Sequence, residues 1–175
     1  SGELDAKAQG VGRASLVEAM RAVLTDEKLD DSMRAELMML PSETYLFEQM
    51  AIGERLADPG AIHTEREALK AALGAELASE LHEIYDRLQN VTFDDPAGRG
   101  ARKIKTQVLV LAAASDPAKA AELAAYQYDR ADNMTDRQGA LMVLCGLDSP
   151  ERSERLKTFF DRYDSNELVI DKWFT

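Results

Sequence analysis

Only one cysteine, Cys145, occurs in the 175 residues, so no internal disulfide can form. That suits a reducing compartment and sets the expectation of a cytoplasmic protein. No apolar run approaches the length needed to cross a bilayer, and the N-terminus lacks a positive-then-apolar leader. Basic charge is scarce: 21 Lys and Arg against 32 Asp and Glu leave a net charge of −11. Such a surface repels polyanions, so neither nucleic acid nor an anionic membrane is expected as a partner. The sequence also lacks a G-x-G-x-x-G loop, a P-loop and a serine in a nucleophile elbow. Period-two strand patterning and hairpin signals are missing throughout, which excludes a sheet-based fold.

What is present is helical. Apolar residues make up 45% and charged residues 30% of the chain, enough for one core and too little for two domains. Residues 1–14 hold three glycines and little periodicity, and are expected to be a disordered linker outside the fold. From Ser15 onward, residues 15–175 read as one all-helical domain. Leu16, Val17, Met20, Val23 and Leu24 form a first helical face, and Met33, Leu37 and Leu40 a second. Asp58-Pro59, Asp116-Pro117 and Ser149-Pro150 each combine an N-capping side chain with a proline at the first helical position. Ile62, Leu69, Leu73, Leu77, Leu81, Ile84 and Leu88 predict one long helix, with Gly74 as its weakest point. Thr135 and Gln138 fit a capping box that opens the helix bearing Leu141, Leu144 and Cys145. Leu156, Phe159, Phe160 and Tyr163 face the core from the helix after Pro150. The last segment, Glu167 to Thr175, breaks off inside an apolar helical stretch with no C-cap.

Helix pairs recurring every few tens of residues predict an all-α fold, a right-handed superhelix of stacked pairs like armadillo or HEAT repeats, truncated at its C-terminal end. Candidate chemistry is thin. His82-Glu83-Ile84-Tyr85-Asp86 begins like the zinc-protease H-E-x-x-H, but the second imidazole is missing. His63 and Glu67 sit at i, i+4, which surface pairing explains equally well. Arg99, Arg102, Lys103 and Lys105 form a basic cluster at a helix start, read as solvated, and Cys145 reads as a small buried hydrophobe. No catalytic and no metal-ligating constellation is assigned.

The runs Ala131-Asp132-Asn133-Met134-Thr135-Asp136-Arg137 and Val169-Ile170-Asp171-Lys172-Trp173-Phe174 resemble the C-terminal helical region of the bacterial aminopeptidase N family, zinc-dependent alanyl aminopeptidases. Leu16 to Leu24, Asp26-Glu27-Lys28, Leu40-Pro41-Ser42 and Ala61 to Leu81, with Arg66-Glu67-Ala68-Leu69, look like that family in the same order. The resemblance implies a fragment of a larger C-terminal superhelical domain that packs on a thermolysin-like catalytic domain and encloses its active-site cavity. It further implies a parent that removes N-terminal residues from peptides, using zinc-activated water, a glutamate base and an acidic anchor for the amine. None of those catalytic residues has a counterpart here, so no cofactor is expected in this chain and zinc only in the parent. The implied partners are the catalytic domain of the same chain and the parent's peptide substrates. Asn133, Met134, Asp136 and Arg137, or Asp171, Lys172 and Trp173, are the expected interdomain contacts. The alternatives are an independent helical-repeat module binding a protein or peptide, and a small metal enzyme built on His63 and His82.

Overall fold

A computed structural model describes the backbone of residues 2–52 and 58–174 and the side chains of residues 10–52 and 58–171. Ten helices are formed among the described residues: α1 (Gly2–Thr25), α2 (Asp31–Leu37), α3 (Glu43–Ile52), α4 (Pro59–Glu76), α5 (Ala78–Leu88), α6 (Gly98–Ser115), α7 (Pro117–Arg130), α8 (Met134–Cys145), α9 (Pro150–Tyr163) and α10 (Glu167–Phe174). No strand occurs among these residues.

The proline-adjacent caps form as their chemistry dictates. Asp58 accepts from the Gly60 amide, Asp116 from Lys119 and Ser149 from Arg152, at 2.9, 3.0 and 3.3 Å. Ser42 caps α3 by accepting from the Tyr45 amide at 3.1 Å. Each bond satisfies an amide of the first turn that has no partner inside the helix.

Other boundaries depart from the sequence pattern. The expected long helix is two helices, α4 and α5, broken at Leu77, whose φ of −108° and ψ of 13° leave the helical region. The stripe survives the break: Leu73, Leu77, Leu81, Ile84 and Leu88 are all buried. α1 starts at Gly2, so helical backbone runs through residues expected to be a linker. Helix propagation adds a hydrogen bond for each residue fixed, which offsets the cost of about 1 kcal/mol that each glycine carries relative to alanine. Residues 10–15 of α1 are nevertheless exposed, and the buried face begins at Leu16 and Val17. On α2, the buried residue is Ala35, followed by Met38 just past the helix, whereas Met33 and Leu37 are each 50% exposed. On α9, Phe159 is buried and tilts against Tyr163, with ring centroids 4.8 Å apart, while Phe160 faces solvent.

α6 is the element on which the others converge. α2, α4, α5, α7 and α8 all pack on it, and its Ala101, Ile104, Val108, Leu109 and Leu111 are buried. α7, α8, α9 and α10 then follow as a run in which each helix meets the next, the stacking of a helical repeat. Two glycines permit the closest approaches to another segment's backbone. A Cβ on Gly74 of α4 would stand 2.2 Å from the Leu111 carbonyl oxygen of α6, and one on Gly100 of α6 would stand 2.7 Å from the Ser32 backbone nitrogen. Gly74 is therefore a packing position, and the break itself falls three residues later, at Leu77.

Asp31 ties α2 to α5. Its carboxylate accepts from Arg34 at 2.9 Å and from Arg87 at 2.8 Å. Burial by itself raises the Asp31 carboxyl, but the bonds from Arg87 and Arg34 outweigh it and hold the group below its ordinary 3.8. A depressed folded-state value means stability that is present above the unfolded value and is lost as pH falls through the folded one.

Two outcomes follow from these contacts. Gly74→Ala should lower the urea midpoint, because overpacking against an immobile carbonyl costs about 1–3 kcal/mol, more than the roughly 1 kcal/mol that helix propensity returns. A raised midpoint would contradict the close packing of α4 on α6. Asp31→Asn should be less stable than the parent chain at pH 7, with the gap narrowing below pH 3.8; urea melts from pH 7 to pH 3 measure it, and a constant gap would contradict the assignment.

Candidate functional site

The turn between α7 and α8 is built from its cap. Asn133 is extended, with φ −140° and ψ 159°, and its side-chain oxygen accepts from the Asp136 amide at 2.9 Å. The expected Thr135–Gln138 capping box does not form, because Asn133 occupies the capping position two residues earlier and Thr135 lies inside the first turn.

This cap leads into a buried polar network. Asp136 Oδ2 accepts from Lys105 Nζ of α6 at 2.7 Å, with the two side chains 5% and 6% exposed. Asn133 Nδ2 donates to the same oxygen at 3.3 Å. The Asp136 backbone carbonyl accepts from Gln127 Nε2 at 3.0 Å, and Gln127 Oε1 accepts from the Tyr85 hydroxyl at 3.0 Å. Burial pushes that hydroxyl up to about 12, so it is a donor at any physiological pH. Four helices are thus joined by one chain of polar contacts. Asp136 Oδ1 is left without a hydrogen-bond partner, and Asp136, Lys105 and Gln127 line one wall of a cavity of about 210 Å³.

The expected interdomain residues fall into three groups. Asn133 and Asp136 are buried in this network, and Met134 packs on the core part-buried. Arg137 donates to the Tyr163 hydroxyl at 2.8 Å and to the Ala131 carbonyl, bridging α8 to α9. Asp171 is exposed, while the side chains of Lys172 and Trp173 lie outside the described residues.

Of the basic cluster, Arg99, Arg102 and Lys103 line one surface hollow and Lys105 leaves it. Lys105 is buried against Asp136, a correction to its reading as solvated. Lys103 pairs with Glu36, and Arg102 lies over the Phe93 ring at 4.8 Å. Cys145 is exposed at the last position of α8, not a buried hydrophobe, although buried Leu141 lies one turn before it. Its thiol is pushed up by partial burial, which lowers its nucleophilicity.

Two surface features remain. The first is an apolar groove of about 720 Å³ between α1, α3 and α4 and the segment joining α2 to α3, lined by Leu16, Leu37, Leu40, Leu46, Met50 and Leu69 among others. The second comprises the histidines. His82 pairs with Asp86 at 3.2 Å, both exposed. His63 Nδ1 lies 2.9 Å from Glu43 Oε1, and Glu67 joins them, all three ligand atoms within 4.8 Å of one another. Glu43 was invisible as a neighbour of His63 because it lies on a different helix. Its carboxyl is held below its ordinary value, first by the hydrogen bond with His63.

Helices stacked on their neighbours, with a groove and no convergent catalytic constellation among the described residues, define a helical-repeat domain of the armadillo type. The family model described as a domain of unknown function with ARM repeats, DUF3458_C, matches residues 3–175, and the chain belongs to this family. Aminopeptidase N of Escherichia coli K12 is 35% identical over 160 residues, covering 91% of this chain and 18% of the relative. Aminopeptidase N of Caulobacter vibrioides is 29% identical over 167 residues, 94% of this chain and 19% of the relative. A crystal structure of Legionella pneumophila aminopeptidase A in complex with aspartic acid is similar over 90% of this chain and 19% of that one, with 25% identity and a TM-score of 0.77. The chain spans about a fifth of the length of these relatives.

The network gives a quantitative expectation. Lys105→Met strands a buried carboxylate and should cost about 3–5 kcal/mol in urea denaturation, whereas Lys105→Met combined with Asp136→Leu should recover most of it. Equal loss in the single and double variants would show that the pair is not coupled.

Proposed function

We propose that this chain is a non-catalytic region of the C-terminal helical domain of a zinc-dependent aminopeptidase, a peptidase that removes N-terminal amino acids from peptides in the cytoplasm. The observation that carries this reading is the 35% identity to an aminopeptidase N across 91% of the chain. Within the parent, residues 15–175 act as one helical unit that packs on the catalytic domain and limits access to its active-site cavity. The chain's own residues do not fit the catalytic zinc. His82 and Asp86 offer two ligands on an exposed helix face, and H-E-x-x-H is absent. Zinc in the parent supplies an activated water, and this region supplies walls and shape.

The apolar groove and exposed Asp171 are surfaces available for the interdomain contact, together with part-buried Met134 and Arg137. Lys172 and Trp173 belong to the same proposed contact. No helix among the described residues is long and apolar enough to cross a membrane, and the net charge of −11 speaks against a nucleic-acid partner.

The groove also favours a second reading, an independent helical module that holds a peptide. Native polypeptide mass separates the two. An antibody raised to the 19.4 kDa chain should detect, in a lysate of the source cells, a band several times larger, and that polypeptide should lose alanyl-peptide hydrolysis on zinc chelation. A band at 19.4 kDa would overturn the aminopeptidase reading in favour of the module.

A further inference from the structure

α3 is, with α10, one of two described helices that pack on a single neighbour. None of its residues is buried, and α4 is the one helix it packs on. Its first turn carries Glu43, while α4 carries His63 and Glu67 one turn apart on a single face. The three side chains come together across the α3–α4 interface, each offering one ligand atom within 4.8 Å of the others. We infer that Glu43, His63 and Glu67 form a binding site for a zinc-class divalent transition metal, which clasps α3 onto α4.

The donor set selects the metal. One imidazole with two carboxylates suits zinc and its neighbours, whereas calcium and magnesium take oxygen ligands throughout. Bonds of 2.0–2.2 Å place tetrahedral ligand atoms about 3.3 Å apart, so His63 Nδ1 and Glu43 Oε1, now 2.9 Å apart, must open slightly, and any pair near the 4.8 Å limit must close by roughly 1.5 Å. His63 and Glu43 are 63% and 44% exposed, and rotation of such side chains accomplishes this without moving a helix. A water completes the shell.

Two cations already compete for one ligand. Lys70 Nζ lies 2.5 Å from Glu67 Oε1, and Arg66 Nη1 lies 3.7 Å from it. Metal binding displaces the Lys70 ammonium from Glu67, so removing that ammonium strengthens the site. The consequence of occupancy is local: α3, whose Leu46 and Met50 form one wall of the apolar groove, is fixed in place. The site rests on this chain's own residues and stands whether or not the aminopeptidase reading holds.

The test is calorimetric titration of zinc chloride into the 175-residue chain carrying Cys145→Ser, which removes the exposed thiol as a competing ligand. One zinc per chain is expected. His63→Ala and Glu43→Gln should each weaken binding by at least about tenfold, Lys70→Gln should tighten it, and His82→Ala should leave it unchanged. Hydrogen exchange in α3 should slow on adding zinc. Absence of stoichiometric uptake, or uptake indifferent to His63→Ala, would overturn the site. Loss with His63→Ala but not with Glu43→Gln would overturn the clasp, because the metal would then sit on α4 alone.

Discussion

Burial of α6 against five neighbours is the constraint on which the rest of the structure depends. A helix covered on so many sides must carry small residues where partners come nearest. Ala101 and Gly100 serve this on α6 itself, and Gly74 serves it on α4. Larger residues, Ile104, Val108, Leu109 and Leu111, fill the remaining interior. α6 orders the elements on either side of it in the sequence: α2, α4 and α5 before, α7 and α8 after. Because α6 reaches back to α2 as well as to its immediate neighbours, it couples helix pairs that a strictly nearest-neighbour stack would leave independent.

Away from α6 the anchoring thins in two directions. Toward the C-terminus, α9 is held by one fully buried aromatic, Phe159, by Arg137 bonding Tyr163, and by Arg155 pairing with Asp129 of α7. Toward the N-terminus, α3 contributes apolar side chains to an open groove and buries none of them. Among the described residues this groove stands open, an apolar surface of the kind that takes a partner. The polar network of Tyr85, Gln127, Asp136 and Lys105 serves the opposite end of this gradient. It fixes the register of four helices, because each member has its partner on a different one.

The all-α class and most helix starts were legible because their signals are local: a capping side chain, a proline and a 3.6-residue period lie within a few positions. The break at Leu77 was not legible, since the apolar stripe continues through it and only the fit of α4 and α5 onto other helices decides it. Lys105 and Asp136 did leave a signal. Lys105 falls in the stripe Ala101, Ile104, Lys105, Val108, and Asp136 in the stripe Asp136, Ala140, Val143, so a charge at a core position of each helix marks a buried pair. The basic neighbours of Lys105 masked it. Glu43 carried no signal at all, because its meeting with His63 depends on how α3 folds back onto α4. Asn133 and Asp136 face inward in this chain, Asn133 as the cap of α8 and Asp136 as the partner of Lys105.

The most direct measurement of this account is native-state hydrogen exchange resolved by helix. If α6 is the hub, its central amides, around Ile104 to Leu111, should exchange only through global unfolding and show the highest protection in the chain, with α3 exchanging fastest among the described helices of comparable length. Protection in α6 no greater than in α3 would contradict the account, because the helix on which the others converge would then open independently of them.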